Sequence, residues 1–419
     1  MSFSQALSGL SAQQQKLGAV GNNIANSQTV GFKSSNVQFA DVYAESRIGL
    51  GVRTSTVLQN FSQGNIESTN RNMDLAIAGE GFFRFQQTNG EVGYSRNGQL
   101  TMTADGRLIN AQGAQIMGYP ADAEGNVLAG GNVQPMQVPP ADLQANATTE
   151  LDISLNLDSG ESVVLGQDGN PLPAPTAEDL ANDGLNANQY SYSTNATIYD
   201  SQGNARNLTL YFTKTEQNQW RVDGRITGGP NDADNYGLAN ISTLTFNQNG
   251  ILTGGTEPEW EINTGEFDGA LLANLEVAMN FAGTTQFANS SSVNNTTQDG
   301  YTSGALVGIT IENDGTIMRN YSNEQSRAAG QIALVSFRNP EGLRPVGDNL
   351  WTATGASGQE LVGAAGTGLL GMIEASAIET SNVDMARELV DMIIAQRAYQ
   401  ANSQTISTQD ELLQTIINL

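Results

Sequence analysis

Residues 3–24 read FSQALSGLSAQQQKLGAVGNNI, and their spacing sets the terms for the rest of the chain. Phe3, Leu7, Leu10, Gln14, Leu17, Gly21 and Ile24 follow at alternating steps of four and three, a heptad seam of about three repeats. Gly9, Gly18 and Gly21 interrupt the same run, each at ~0.5–1 kcal/mol relative to Ala. Such a helix is marginal alone in water and needs a partner.

Its stripe can be buried against the C-terminal helix or against other copies of the chain. No Gly or Pro occurs from Met372 to Leu419, and Ser381 with Asp384 forms a helix-start signal. Leu389, Met392, Gln396, Tyr399, Ser403, Ile406, Asp410, Leu413 and Ile417 again step by three and four. Val390, Ile394, Ala398, Ala401, Leu412 and Ile416 place further apolar surface on neighbouring faces. One partner helix cannot cover all of it, which predicts several contact faces. The residues expected to carry self-assembly are Phe3, Leu7, Leu10, Leu17 and Ile24, with Leu389, Met392, Tyr399, Ile406, Leu413 and Ile417.

Between the helices the chain reads as β. Turn dipeptides recur at Asn89-Gly90, Asn97-Gly98, Asp105-Gly106, Asp168-Gly169, Asp223-Gly224, Asn249-Gly250 and Asp314-Gly315. Alternating or β-branched runs flank many of them, as in 75–85, 198–212, 241–246 and 306–311. The expected fold is multi-domain: a terminal α-helical coiled coil of the N- and C-terminal helices, with mainly-β outer domains in series, built as antiparallel sandwiches or barrels. The expected parts are a helical core of 1–25 plus 375–419 and a connecting region of 26–72 plus 355–374. An inner β domain of 73–146 plus 297–354 follows, then an outer acidic β domain of 147–296. Flexing joints are expected around 26–72, 135–150 (with prolines 135, 139 and 140), 289–300 and the Gly-rich run 355–371.

Composition excludes much chemistry. The 419 residues include neither Cys nor His, which removes disulfides, thiol nucleophiles and the commonest general base and metal ligand. Net charge is −25. Residues 120–300 hold 23 Asp/Glu against four Arg/Lys, hence 4 − 23 = −19. That segment repels phosphate backbones and anionic lipid, so no nucleic-acid partner and no membrane insertion are expected. No cleavable signal peptide is recognised at the N-terminus, and an export route without one is expected.

The remaining motifs favour plain structural readings. Asp232-Ala-Asp234-Asn-Tyr236-Gly237 starts like a calcium loop, but Tyr236 and Thr243 stand where acidic ligands belong. Gly363-Ala-Ala-Gly366-Thr-Gly368 lacks phosphate-loop spacing and its lysine. Glu257 and Glu259 beside Trp260 share a strand face without a visible reason for a raised pKa. No catalytic, cofactor or metal residue is assigned. Asn22, Asn23 and Asn26 suit a helix C-cap and turn, with polar contacts as a second role.

One resemblance covers roughly residues 1–120 and 300–419. The run Asn22-Asn23-Ile24-Ala25-Asn26-Ser27-Gln28-Thr29-Val30-Gly31-Phe32-Lys33 resembles the N-terminal signature of the bacterial flagellar rod and hook axial family, with Asn22, Asn23, Asn26, Gly31 and Phe32 as its core. Residues 75–83 (LAIAGEGFF), Tyr94-Ser95-Arg96-Asn97-Gly98, Tyr321-Ser322-Asn323-Glu324-Gln325 and Ala395-Gln396-Arg397-Ala398-Tyr399-Gln400 are similar to later segments of that family. The large central insertion favours its hook members over the shorter distal-rod members. The resemblance implies a structural, non-enzymatic subunit of a homopolymeric tube that acts as a universal joint passing torque from rod to filament. It implies extracellular localisation in the basal body and hook after passage through the flagellar export apparatus. It implies the distal rod protein, the hook cap and the hook–filament junction proteins as neighbours. A distal-rod or other axial role is the alternative within the family; a secreted β-rich adhesin or sugar-active enzyme is the alternative outside it.

Overall fold

The computed structural model describes residues 3–43, 49–128, 130–166, 169–228, 235–256, 259–262 and 275–417. Three α-helices occur among them: α1 (Phe3–Ala25), the short α2 (Ala177–Asn182) and α3 (Met385–Ile417); nearly everything else regular is strand. The two terminal helices flank a mostly-β, multi-domain body, as the sequence predicts. None of the described helices is long and apolar enough to cross a membrane.

The chain divides into two compact units. The first comprises Met1–Pro140, Val307–Asn320 and Ser326–Leu419; the second comprises Ala141–Leu306 and Tyr321–Gln325. The divisions lie at 140/141 and 306/307, outside the expected 146/147 and 296/297, because the residues between pair with each other. Leu143 bridges Gly304 and Asn146 bridges Tyr301, so 141–146 and 300–306 belong with the middle of the chain.

The first unit contains a sheet in which Leu306–Ile311, Thr316–Tyr321, Ser326–Ser336, Gln115–Pro120, Phe82–Gln86 and Val92–Ser95 follow one another. Its core holds Leu75, Ile77, Phe83, Phe85, Leu108, Ile116, Ile317, Ile332 and Leu334. A separate aromatic cluster joins Phe61, Phe82, Tyr94, Phe337 and Trp351 with edge-to-face rings 4.8–6.1 Å apart. The stretch expected to connect is itself structured. Ser35–Val42 and Gly51–Gln59 form an antiparallel ribbon, and Ile66–Ser68 pairs with Ala377–Glu379. The Gly-rich run also contributes a strand, Leu361–Ala364 along Ala333–Ser336.

The second unit packs two sheets. One is a meander of Tyr192–Tyr199, Ala205–Glu216, Gln219–Thr227, Tyr236–Phe246 and Leu252–Gly254. The other is built round Glu150–Asp158, which runs parallel to Leu275–Asn280 and Thr285–Phe287. These parallel pairings depart from the all-antiparallel expectation. The chain between them is long enough to cross over, as parallel strands require. Leu151, Leu155, Val277 and Met279 of this sheet meet Leu208, Phe212, Trp220 and Leu244 of the meander in one core. Asn289–Gly300, expected as linker, contains the strand Ser292–Gln298, antiparallel to 151–156. Its side chains are nearly all polar and exposed, so no apolar alternation marked it.

The hairpin turns obey one rule that two-residue turn dipeptides capture only in part. At Gly90, Gly106, Gly113, Gly125, Gly169, Gly203, Gly250 and Gly315 the glycine N–H donates to the carbonyl three residues back. That earlier residue's N–H in turn donates to the carbonyl just after the glycine. Each of these glycines has φ between 75° and 92°, the left-handed conformation that lets the strands re-pair after a type I turn. Two dipeptides do not belong. Gly98 pairs with Leu75, and a Cβ there would stand 2.3 Å from the Leu75 carbonyl oxygen. Gly224 lies inside a strand, paired with Leu210 and Leu238. Close packing, not a turn, explains both glycines. Asp168 lies outside the described residues.

Asp299 ties the second unit's closing segment to its first strand. It accepts from the Thr149 and Glu150 amides at 2.8 and 3.0 Å and from the Thr149 hydroxyl. Burial alone raises its pKa, yet the bonds from Thr149 and Glu150 hold it below the usual carboxylate range. A carboxylate depressed in the folded state stabilises the fold above its unfolded pKa, and that contribution is lost as pH falls through the folded one. Wild type is therefore expected to exceed Asp299→Asn in thermal stability most at pH 6–7, with the gap closing below about pH 4. Melting curves across pH 3–7 check this; a gap independent of pH would refute it.

Candidate assembly interface

The two terminal helices pack on each other within one chain. Gly9 stands against Asn402, Lys16 lies 3.6 Å from Asp391, and Asn23 bonds to Glu388, so the helices run antiparallel. What they bury is small. Ala6, Ala12 and Val20 of α1 and Ala395 of α3 are buried, which brings the backbones close.

Of the ten described seam residues predicted from spacing, five are exposed and five half-buried. Phe3 and Leu7 are about half exposed, while Leu10, Leu17 and Ile24 are half-buried. On α3, Met392 and Ile406 are half-buried, and Leu389, Tyr399 and Leu413 are exposed. The side chain of Ile417 lies outside the described residues. Leu389, Val390, Ile393 and Ile394 are each 47–57% exposed, and Leu412 continues their face in the last turns of the helix. At 100° per residue these five span roughly 140° of the helix, facing away from Ala395.

The antiparallel register adds a second exposed surface. With Gly9 opposite Asn402, Phe3 falls level with residue 408. Leu412 and Leu413 therefore extend past the described start of α1, and both are more than half exposed.

The signature residues divide by role. Asn26 donates to the Asn22 carbonyl and side-chain oxygens at 3.0 Å, and Thr29 donates to Asn26, which caps α1 as a C-terminal turn. Asn23 is different. It is buried, exchanges two bonds with the backbone of Ser35 at 2.9 Å, and donates to Glu388 Oε1 at 3.0 Å. It joins α1, the ribbon and α3 through one amide group. Gly31 has φ 71°, and a Cβ there would meet the Asn97 amide nitrogen at 2.6 Å; Phe32 is half-buried beside it.

Sequence reasoning places Lys33 and Arg96 within family segments but does not see that they meet Glu379. Lys33, Arg96 and Glu379 are almost fully buried and form a mutual ion cluster. A lysine directly after Gly31-Phe32 and a lone glutamate in Ala377-Ile378-Glu379 were the available signals: charged residues in otherwise uncharged runs.

Comparison with known proteins follows the same division. A model described as flagella basal body rod protein matches residues 4–33, and one for the C-terminal part of flagellar basal body rod FlgEFG proteins matches 374–419. The flagellar hook protein FlgE/F/G D1 domain matches 76–170, and the flagellar basal body protein FlaE D2 domain matches 167–301. The chain is 43% identical to the flagellar hook protein FlgE of Salmonella typhimurium over 421 residues, covering all of both chains. It is 42% identical to that of Escherichia coli over the whole of both, and 32% to that of Borreliella burgdorferi over 100% of this chain and 99% of the relative.

The chain belongs to the flagellar hook protein FlgE family.

It is accordingly a structural subunit of the bacterial flagellar hook. The crystal structure of Helicobacter pylori FlgE2 shares the fold with a TM-score of 0.55 at 16% identity, covering 75% of this chain and all of that one. The family models over 4–33 and 374–419 take in both α1 and α3 and, with them, Asn23, Lys33, Glu379 and Glu388.

Asn23 and Asn26 are separable by experiment. Asn23→Ala strands buried partners and is expected to lower stability by about 1–3 kcal/mol, whereas Asn26→Ala removes exposed bonds and costs about 0.5–1.5 kcal/mol at most. Urea titrations followed through the helix signal give both values. A larger loss for Asn26→Ala would reverse the two roles.

Proposed function

We propose that this hook subunit works by polymerising into a helical tube whose core is made of α1 and α3 from many copies. The observation that carries the reading is the apolar stripe of Leu389, Val390, Ile393, Ile394 and Leu412, left open by the chain's own helix pair. Phe3 and Leu7 extend the open surface onto α1. Identical helices from neighbouring copies are the natural cover, because repeated subunits offer each face its complement.

The tube acts as a universal joint between rod and filament. Subunits inside and outside a bend differ in spacing, so their contacts must slide rather than break. The acidic middle suits this. A charge of −19 over residues 120–300 keeps lateral contacts weak and makes them sensitive to salt. The subunit reaches its place through the flagellar export apparatus without a cleaved signal peptide and is added beneath a hook cap. Its neighbours are the distal rod protein on one side and the hook–filament junction proteins on the other.

Leu7→Asp tests the packing directly. Leu7 is about half exposed in the single chain, so the substitution should move monomer stability by no more than about 0.5 kcal/mol. In the tube the same charge is buried without a partner, at several kcal/mol in every subunit. Electron microscopy should find no tubes, with β-sheet circular dichroism unchanged; tubes of normal length would refute the interface. The 23 residues of α1 and 33 of α3 are also expected to gain helix signal on polymerising, since a Gly-interrupted helix with open faces is only partly formed alone. Equal ellipticity at 222 nm in dilute monomer and polymer would contradict that.

A further inference from the structure

The stretches linking α1 and α3 to the sheet body converge on one carboxylate. After α1 the chain passes through 26–34 to the ribbon, returns through 60–65 into the body, and leaves it for α3 through 376–384. Glu379 Oε1 accepts from Lys33 Nζ at 2.5 Å and from the Gly64 amide at 2.8 Å. Its Oε2 faces Arg96 Nη1 at 3.4 Å, and its main-chain oxygen takes the Gly31 amide at 2.7 Å. Lys33 donates onward to the Ser62 carbonyl at 2.7 Å, and Arg96 to the Gly79 carbonyl at 2.9 Å. Three residues later Asn382 repeats the pattern, accepting from the Ser34 amide and donating to the Asn60 and Ser62 carbonyls.

All three passages are thus bonded to one another, and Arg96 and Gly79 fasten them to the body. The side chains of Lys33 and Glu379 have no exposed surface, and that of Arg96 has 4%. Apolar contacts tolerate sliding. A buried ionic node does not, because a small shift leaves charges without partners in a medium that barely screens them.

We propose that Glu379 is a positioning residue that locks the base of the helix pair to the sheet body, so that the stretch read from sequence as a connecting linker is a fixed junction. Burial lowers the pKa of Lys33 against the opposing pull of Glu379, and burial likewise lowers that of Arg96. Glu379 is the carboxylate that both cations share, with Glu80 adding a weaker pull on Arg96. The inference deepens the reading of the tube as a flexible joint by placing its bending outside this junction. Its test uses free subunits, so failure here leaves tube formation untouched, and failure to form tubes leaves the junction untouched.

The experiment is hydrogen exchange with single-residue resolution on the full-length monomer. In wild type the Gly31 and Gly64 amides should be protected to within about tenfold of the core amides of Phe83 and Phe85, because they open with the body. Exchange at Gly31 and Gly64 more than about a thousandfold faster than at Phe83 and Phe85 would mark a loose linker and overturn the proposal. Glu379→Gln should speed Gly31 and Gly64 by at least about a hundredfold with little change at Phe83 and Phe85, and Glu379→Asp should recover part of the protection. No change in Glu379→Gln, or an equal change everywhere, would also overturn it. Should Glu379→Gln not fold, the wild-type comparison decides alone.

Discussion

A long helix with apolar side chains round more than a third of its circumference cannot be satisfied by one neighbour, and this constraint governs the molecule. α3 meets α1 through Ala395 and a few small residues, and leaves Leu389, Val390, Ile393 and Ile394 open. The contact within the chain therefore orients the helix instead of burying it. Everything nearby serves that orientation: Asn23 joins both helices to the ribbon, and the ion cluster at Glu379 secures the ribbon's base to the sheets. A subunit arranged this way keeps that apolar face open within its own chain.

How much of this was legible follows from what each feature depends on. The terminal helices and many of the strands were legible because apolar periodicity is a local property, visible wherever one face is buried against water on the other. The strand Ser292–Gln298 was not, since its polar residues lie along an exposed sheet edge and no face selects for apolar side chains. The partners of Lys33 were equally hidden. Its carboxylate is 346 residues away in sequence, and no pattern in one chain matches distant charges. The heptad spacing correctly marked helices, but it could not tell which seam faces the chain's own partner. Ala6, Ala12 and Ala395 took that place because short side chains let the helices approach, and the larger seam residues were left half-buried or exposed.

The recurrent glycine turn carries a similar lesson about local chemistry. The dipeptides Asn-Gly and Asp-Gly point to a bend, yet Gly98 and Gly224 are glycines because a neighbour stands where a Cβ would be. Gly113, Gly125 and Gly203 make the same turn as Gly90 after glutamine or glutamate. The determinant is the left-handed backbone at the fourth position. Glu324 adopts it at φ 63° in the turn that begins at Tyr321, so even glycine is a preference there and not a requirement.

The pairings are nested, first half with second half, and this imposes a timetable. The meander of 192–254 closes through neighbours in sequence. Thr148 must then find Gln298, 150 residues on; Lys33 must find Glu379; and Asn23 must find Glu388, 365 residues on. Loops closed inside an already folded segment are effectively shorter, so each closure lowers the entropic barrier to the next. Zipping from the middle toward the ends leaves the helix pair until last. The open apolar face of α3 is thus the final surface to take shape, after the sheets have buried their own apolar strands.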